Sequence, residues 1–365
     1  MSEWQTFCLK DLGKIVGGAT PPTNNPKNYG NKIAWITPKD LSTLQGRYIK
    51  KGSRSISRLG FKSCSCVLLP KHAILFSSRA PIGYVAIVEK RLCTNQGFKS
   101  IIPNKKIYFE FLYYLLKYHK DNISNIGGGT TFKEVSGATL GLFQVKIPPT
   151  YYEQQKIART LSVLDQKIEN NHKINELLHT LAYKIYEYYF KYKPKNAKLE
   201  QIIIENPKSS IMVKNAQKTQ DKYPFFTSGD NILSYPKAII DGRNCFLNTG
   251  GNAGIKFYVG KASYSTDTWC ICANEFSDYL YLLLSSIKTH INQSFFQGTS
   301  LKHLQKNLIK KYPIYMPSAH EIKKFNQIIM PLLTLISINT RTSKKLEQIR
   351  DFLLPLLLKQ QVKPQ

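Results

Sequence analysis

The chain has 365 residues, enough for two domains that each bury a core of their own. Its 52 Lys and Arg against 23 Asp and Glu leave a formal charge of +29, which points to a polyanionic partner, nucleic acid or an anionic membrane surface. The apolar runs Pro331–Ile336 and Phe352–Leu358 fall well short of the ~20 residues that cross a bilayer, and Met1-Ser2-Glu3-Trp4 lacks the pattern of a secretory signal; nucleic acid and a cytoplasmic location are expected.

In chain order, residues 1–150 carry short β-type runs such as Lys32–Ile36 and Tyr84–Val88 between Gly and Pro turns, with one amphipathic helix predicted over Phe109–Tyr118. Helical period then runs from about Tyr152 to Lys193, through the second part, 151–194. Residues 195–318 return to the mixed layout, with strands predicted at Asn244–Leu247 and Ile255–Val259 and a helix at Asp278–Ile287. Residues 319–365 are helical again. The 7 cysteines include Cys64-x-Cys66 and Cys270-x-Cys272, which read as strand alternation and not as metal or redox spacing; reduced structural thiols and no metal site are expected.

The third part repeats the first, about 170 residues later. Leu75–Gly83 matches Phe246–Gly254, Thr94–Phe98 matches Ser265–Trp269, Gly129–Lys133 matches Gly298–Lys302, and Val145–Pro148 matches Ile314–Pro317. Four matches in one order make the chain a duplicated unit. Its fold class is mixed α/β (α+β): two tandem domains, each followed by a long helix.

Both helices carry a heptad seam. In the first it is Ile157, Leu161, Leu164, Ile168, Asn171, Asn175, Leu178, Ala182, Ile185 and Tyr189; in the second Phe325, Ile328, Leu332, Leu335, Asn339, Thr342, Leu346, Ile349, Leu353 and Leu356. A seam Asn weakens packing but fixes register, so Asn171 and Asn339 suit two helices that pair in one alignment as an antiparallel coiled coil. The alternative is that each helix packs on its own domain. Pro331 and Pro355 each remove a backbone donor, so the second helix is expected to run between them, with a kink or fresh start at Pro331.

Pro148-Pro149, then Glu153-Gln154-Gln155-Lys156-Ile157-Ala158 and Leu161-Ser162-Val163-Leu164-Asp165-Gln166-Lys167-Ile168-Glu169-Asn170, closely resembles the conserved-region signature of type I restriction-modification specificity subunits. Gly18-Ala19-Thr20-Pro21, Trp35-Ile36-Thr37-Pro38-Lys39-Asp40-Leu41, Ser78-Arg79-Ala80-Pro81-Ile82-Gly83 and Thr94-Asn95-Gln96-Gly97-Phe98 are similar to recurring elements of that family's target recognition domains. Lys345–Pro355 resembles its closing helix, whereas Ser318–Lys324 departs from the expected Pro and Glu-Gln pair.

The resemblance implies target recognition domains at 1–150 and 195–318, a central conserved helix at 151–194 and a C-terminal conserved helix at 319–365. It implies a non-catalytic subunit that reads a bipartite site in double-stranded DNA. Two modification (methyltransferase) subunits and the restriction (translocase/nuclease) subunits would assemble on it, with no membrane involved. This chain would bind no cofactor; S-adenosylmethionine, ATP and Mg would belong to the partners. A helix on the order of 60 Å long exceeds one ~34 Å turn of B-DNA, so it can act as a ruler between half-sites.

Motifs for the enzyme alternative, a self-contained DNA methyltransferase or nuclease, are missing. Gly127-Gly128-Gly129-Thr130 and Asn248–Gly254 lack the Gly-Lys-Ser/Thr of a phosphate loop, Ile147-Pro148-Pro149-Thr150 lacks the Asn or Asp of an amino-methyltransferase motif, and Glu321-Ile322-Lys323 has no carboxylates nearby to share a metal ion. For DNA contacts, no acid lies between Asp40 and Glu89, while Arg47, Lys50, Lys51, Arg54, Arg58, Lys62, Lys71 and Arg79 do; the plain alternative is a generally basic surface. Arg79 is the leading candidate for base readout, since Arg can pair with guanine in two places. Thr37, Lys39, Ser78, Asn95, Gln96, Thr130 and Lys133 accompany it, with Thr227, Thr249, Asn252, Thr266, Thr299 and Lys302 as the second domain's candidates. Gly250 stands where the first domain has Arg79, so the two domains are expected to read different half-sites.

Overall fold

The computed structural model describes residues 3–79, 81–129, 133–216 and 222–364. The chain forms two compact units, one of residues 1–169 with 345–365, the other of residues 170–344. Each unit therefore holds one mixed α/β domain and a portion of both long helices.

In the first unit a five-stranded sheet runs in the order Gly13–Gly17, Lys99–Pro103, Ile74–Phe76, Val85–Val88, Tyr48–Ile49. A three-stranded sheet places Tyr29–Ile36 between Arg54–Ile56 and Cys93–Thr94. The helix expected at Phe109–Tyr118 extends over Phe109–Asn125 and packs Phe111, Leu112, Leu115 and Leu116 on the larger sheet. The same core takes in Ile157, Ala158 and Leu161 of the central helix and Leu354, Leu357 and Leu358 of the C-terminal helix.

The second unit repeats this plan with a four-stranded sheet, Ile204–Glu205, Thr268–Cys272, Arg243–Asn248, Ile255–Val259. Tyr223–Phe226 lies between Leu233–Tyr235 and Ser263–Tyr264. Helix Ser277–Ser286 is apolar on nearly every side and is buried accordingly, against Tyr186 and Phe190 from one long helix and Ile322, Phe325, Ile329 and Leu333 from the other.

The duplication holds bond by bond. Ile36 pairs in parallel with Thr94, and Phe226 with Tyr264. Ser78 N donates to Gly97 O at 2.8 Å, and Thr249 N donates to Asp267 O at 3.2 Å; Val135 N donates to Ser78 O as Leu304 N does to Thr249 O. Gly129 and Gly298 both sit at positive φ, +125° and +138°, a conformation natural to glycine. These bonds move one sequence match by a residue: Gly97 is equivalent to Asp267 and Asn95 to Ser265, because the strand pairing sets the register and the side-chain types there had suggested another.

Cys270 and Cys272 lie in a strand, but Cys64 and Cys66 do not. They follow the short helix Arg58–Lys62, where Cys64 Sγ donates to Gly60 O, and Cys66 is buried with Trp35 and Cys93. All seven cysteines are free.

The central helix spans Tyr151–Tyr186 and closes in a π-helical turn, Glu187–Lys191. The C-terminal helix is continuous over Ala319–Leu358, through both Pro331 and Pro355. No fresh start occurs at Pro331 because its ring faces solvent while Ile329 and Leu333 beside it are fully buried; packing of that stripe outweighs one lost backbone bond.

The seam in the central helix is covered as its period suggests, with Ile157, Leu161, Ile168 and Ala182 buried and Leu164, Asn171, Asn175, Leu178 and Ile185 partly so. The C-terminal helix is rotated from the expected seam. Its buried line is Ile322, Phe325, Ile329, Leu333, Ile336, Ser343, Leu354 and Leu357, with Leu332, Asn339, Leu346 and Leu353 half-buried beside it. Ile328, Leu335 and Ile349, 41–47% exposed, point away. This helix serves the domain core as well as the facing helix, and a straight 3.6-residue period drifts from a strict heptad.

Both helices open on the same cap, in which Thr150 Oγ1 accepts from Glu153 N and Ser318 Oγ from Glu321 N. Aligned on these caps, Asn171 is equivalent to Asn339 and Asn175 to Ser343. Within the second unit Asn171 Nδ2 donates to Ser343 Oγ at 3.1 Å, and Asn339 Nδ2 donates to Asn175 Oδ1 at 2.9 Å. One interaction is thus written twice, and the rising numbers on one helix against falling numbers on the other make the contact antiparallel. Within the first unit Arg350 donates to Asp165 at 2.7 Å, and the Tyr114 hydroxyl donates to the same carboxylate.

Candidate nucleic-acid interface

In the first unit, loops from five separate parts of the sequence meet at the ends of the strands. Asn95 N donates to Ile36 O, Ser78 N to Gly97 O, Val135 N to Ser78 O and Ala19 N to Thr94 O, so the segments around residues 19, 37, 78, 96 and 134 are tied to one another through backbone. Gly18 is obligatory there: a Cβ would lie 2.1 Å from Asn95 O.

Side chains then fix the rim. Asp40 accepts from Thr37 N (2.8 Å), Thr37 Oγ1 (2.7 Å) and Ser53 N (2.7 Å), which locks the Thr37–Lys39 turn. Burial alone would raise the Asp40 carboxyl, but the bonds from Ser53 and Thr37 outweigh it and hold it below its ordinary 3.8. Thr20 Oγ1 donates to Gln96 Oε1. Arg79 reaches Glu134 at 3.5 Å, and Lys99 reaches the same carboxylate at 3.3 Å. Arg54 lies over Tyr29, 4.3 Å from the ring centre, and over Trp35 at 5.6 Å.

Of the residues singled out in sequence, Thr37, Lys39, Ser78, Arg79, Asn95, Gln96 and Lys133 fall on these converging segments. Ser78 is fully buried and works through its backbone, its Oγ having no hydrogen-bond partner among the described residues. Arg54 is exposed at the edge of the group and Arg58 on the neighbouring short helix, while Thr130 lies outside the described residues. Arg47 overturns its reading as a phosphate-facing cation: it is 3% exposed, bonded to Glu110 (3.0 Å) and Glu169 (3.1 Å). A count of basic residues could not show that, because both acids come from distant helices.

The second unit builds the same frame from different residues. Thr249 Oγ1 donates to Asp267 O at 2.7 Å, Ser228 Oγ donates to the same oxygen, and Gly229 N donates to Thr227 Oγ1. Lys256, pulled below its ordinary pKa by burial, braces the loops from behind through Thr227 O (2.7 Å) and Asn248 Oδ1 (3.3 Å). Asn252, Thr266, Thr299 and Lys302 are exposed at the rim, and Lys302 O accepts from Gly251 N. Thr227 and Thr249 are frame residues, and the other four stand exposed around them. At the position equivalent to the Arg79–Glu134 pair, Gly250 and His303 form a backbone bridge. Sequence reading missed Asp40, Glu134, Ser228 and Lys256, although Thr-x-x-Asp at residues 37–40 is a capping signature.

Among the described residues, no group of three or more His, Cys, Asp or Glu is placed to hold a metal ion, and no helix is long and apolar enough to cross a membrane.

Two copies of one α/β domain, each presenting a rigid loop frame and each followed by a long helix, define a duplicated recognition architecture. Residues 1–180 and 195–348 both match the family model of the type I restriction modification DNA specificity domain, and the chain belongs to that family. It is 32% identical to the type I restriction enzyme MjaIX specificity subunit of Methanocaldococcus jannaschii over 98% of this chain and 93% of that one. A putative type I specificity subunit of Mycoplasma genitalium is 22% identical over 84% of this chain and 80% of its own length. The crystal structure of a type I restriction-modification S subunit from M. genitalium has the same fold, with a TM-score of 0.61 at 18% identity, covering 97% of this chain and 96% of that one.

Proposed function

We propose that this chain is the DNA-reading subunit of a type I restriction-modification complex and carries no catalysis of its own. Each loop frame reads one half of a bipartite duplex site, and the paired helices set the unread spacer. The observation that carries this reading is the frame built twice with different rims, Arg79 and Glu134 in one copy against Gly250 and His303 in the other. Identical scaffolds with different exposed groups are what two half-sites require.

Modification subunits bring S-adenosylmethionine and methyl transfer, and restriction subunits bring ATP, Mg and cleavage. Apolar side chains left open on both helices support such protein partners: Ile174, Leu177 and Leu181 on one, Leu335 and Ile338 on the other, 41–70% exposed. The assembly works on chromosomal DNA in the cytoplasm.

The test is methylation mapping in cells that express this chain with its modification subunits. Replacing residues 1–150 with those of a relative should change the bases of one half-site and leave the other intact. Methylation or cleavage of duplex DNA by the purified chain alone, given methyl donor and Mg²⁺, would overturn the reading.

A further inference from the structure

Glu169 in the central helix and Ser337 in the C-terminal helix are equivalent positions once the Thr150 and Ser318 caps are aligned. Each receives a backbone N–H from the edge of the preceding recognition domain. Glu169 Oε1 accepts from Arg47 N at 2.9 Å, and Ser337 Oγ accepts from Val259 N at 3.0 Å. Beside each donor stands a glycine at positive φ that lets the backbone come close. Gly46 (φ +117°) would place a Cβ 3.1 Å from the Glu169 side chain, and Gly260 (φ +121°) would place one 2.8 Å from Arg341 of the C-terminal helix. The docked element is an edge strand in both units, Tyr48–Ile49 and Ile255–Val259.

The Glu169 contact lies apart from the apolar core of its unit, whereas Ser337 is buried beside Leu333 and Ile336 of the second core. In the first unit the fully packed apolar contacts of the domain with the central helix come from Ile157, Ala158 and Leu161, and Glu169 lies about two turns beyond them. A contact at that distance acts on the angle of the domain, as the far end of a lever does. Its chemistry is asymmetric. The first domain uses a buried ionic clamp, in which Arg47 bridges Glu169 and Glu110 while the hydroxyls of Tyr48 and Tyr108 donate to Glu110. The second joins the Ser337 hydroxyl to two arginines: Arg341 of the C-terminal helix donates to Val259 O at 3.2 Å, and Arg243, paired with the buried Asp278, donates to Thr334 Oγ1 and Met330 O.

We infer that Glu169 with Arg47, and Ser337 in the second copy, are positioning residues that fix the angle of each recognition domain on its helix and thereby the spacer length the protein accepts. This rests on the bipartite reading proposed above. Successive base pairs are ~3.4 Å apart, so a small swing of a domain carries its loops onto the neighbouring pair.

The experiment uses the complete modification complex on a DNA library holding both half-sites at the cognate spacer and at one base pair shorter and longer. Glu169→Ala should leave the half-site bases unchanged and raise methylation at the altered spacers about tenfold relative to the cognate one. Glu169→Gln, which keeps an acceptor for Arg47 N, should restore most of the discrimination, and Ser337→Ala should give a weaker form of the same effect. Wild-type spacer selectivity in active Glu169→Ala and Ser337→Ala complexes would overturn the inference. Should Glu169→Ala fail to assemble, Ser337→Ala decides alone, since it removes a single hydroxyl. Changed half-site bases in either variant would also overturn it, whereas a wild-type site with no spacer would overturn the bipartite reading itself.

Discussion

Asp40 holds three donors from two loops, and a side chain in that position converts flexible backbone into a fixed rim. Asp40→Asn keeps the shape and loses the charge, so the domain should lose about 1–2 kcal/mol, read as a lower melting temperature. The pH dependence has a definite sign. Because the folded carboxyl titrates below its ordinary 3.8, its contribution is complete above that value and is lost as the pH falls through the lower folded value. Asp40→Asn should therefore flatten the acid limb of the stability profile; an unchanged limb would deny Asp40 this role. Arg79 poses the complementary case, since its guanidinium meets Glu134 in the free protein and a base must compete for it. Arg79→Ala should relax one base of the first domain's half-site by about 1–3 kcal/mol and leave the other half-site untouched, as methylation of single-base variants would reveal. At this scale sequence was informative about backbone and poor about side-chain partners. Thr37 and Arg79 stand out by their local motif, but the burial of Arg47 depends on Glu110 and Glu169, whose proximity only the assembled fold creates.

The long helices were legible because a heptad pattern is a local signal repeated many times, and repetition averages away single exceptions. Proline misled for the converse reason, being a strong local signal that tertiary packing overrides. Pro331 lies on the open face of a helix whose opposite face is buried from Ile322 to Ile336. Pro331→Ala returns a donor to the carbonyl of Gln327 and should stabilise the chain by up to about 3 kcal/mol, measured by thermal or denaturant unfolding; no gain would mean that the helix had already relaxed around the proline. The polar layers behave differently. Asn339→Leu removes a bond to Asn175 and leaves that amide half-satisfied, so it should cost specificity of register before it costs helicity. The rotation of the C-terminal seam was not legible, because a helix with two packing partners divides its apolar face between them.

The duplication was visible in sequence as four matched segments, and the structure extends it to equivalent hydrogen bonds, equivalent caps and equivalent docking points. What sequence could not supply was register: the shift of Gly97 onto Asp267 follows from strand pairing alone. A formal charge of +29 spread over such a duplicated frame makes one last prediction about the molecule as a whole. Cations that meet phosphate release counterions, so affinity falls with salt in proportion to the number of contacts, whereas cations that pair with bases also change which sequence is preferred. Lys133 and Lys302 are exposed and occupy equivalent places in the two copies. Replacing either with Ala should lower the slope of log affinity against log salt by about one and weaken cognate and unrelated duplexes alike. Equilibrium titrations from about 50 to 200 mM salt, the range over which six to ten phosphate contacts cost 10³–10⁵ in affinity, resolve a change of that size. An unchanged slope with an altered half-site preference would move the lysine from the backbone of the DNA to the edges of its bases.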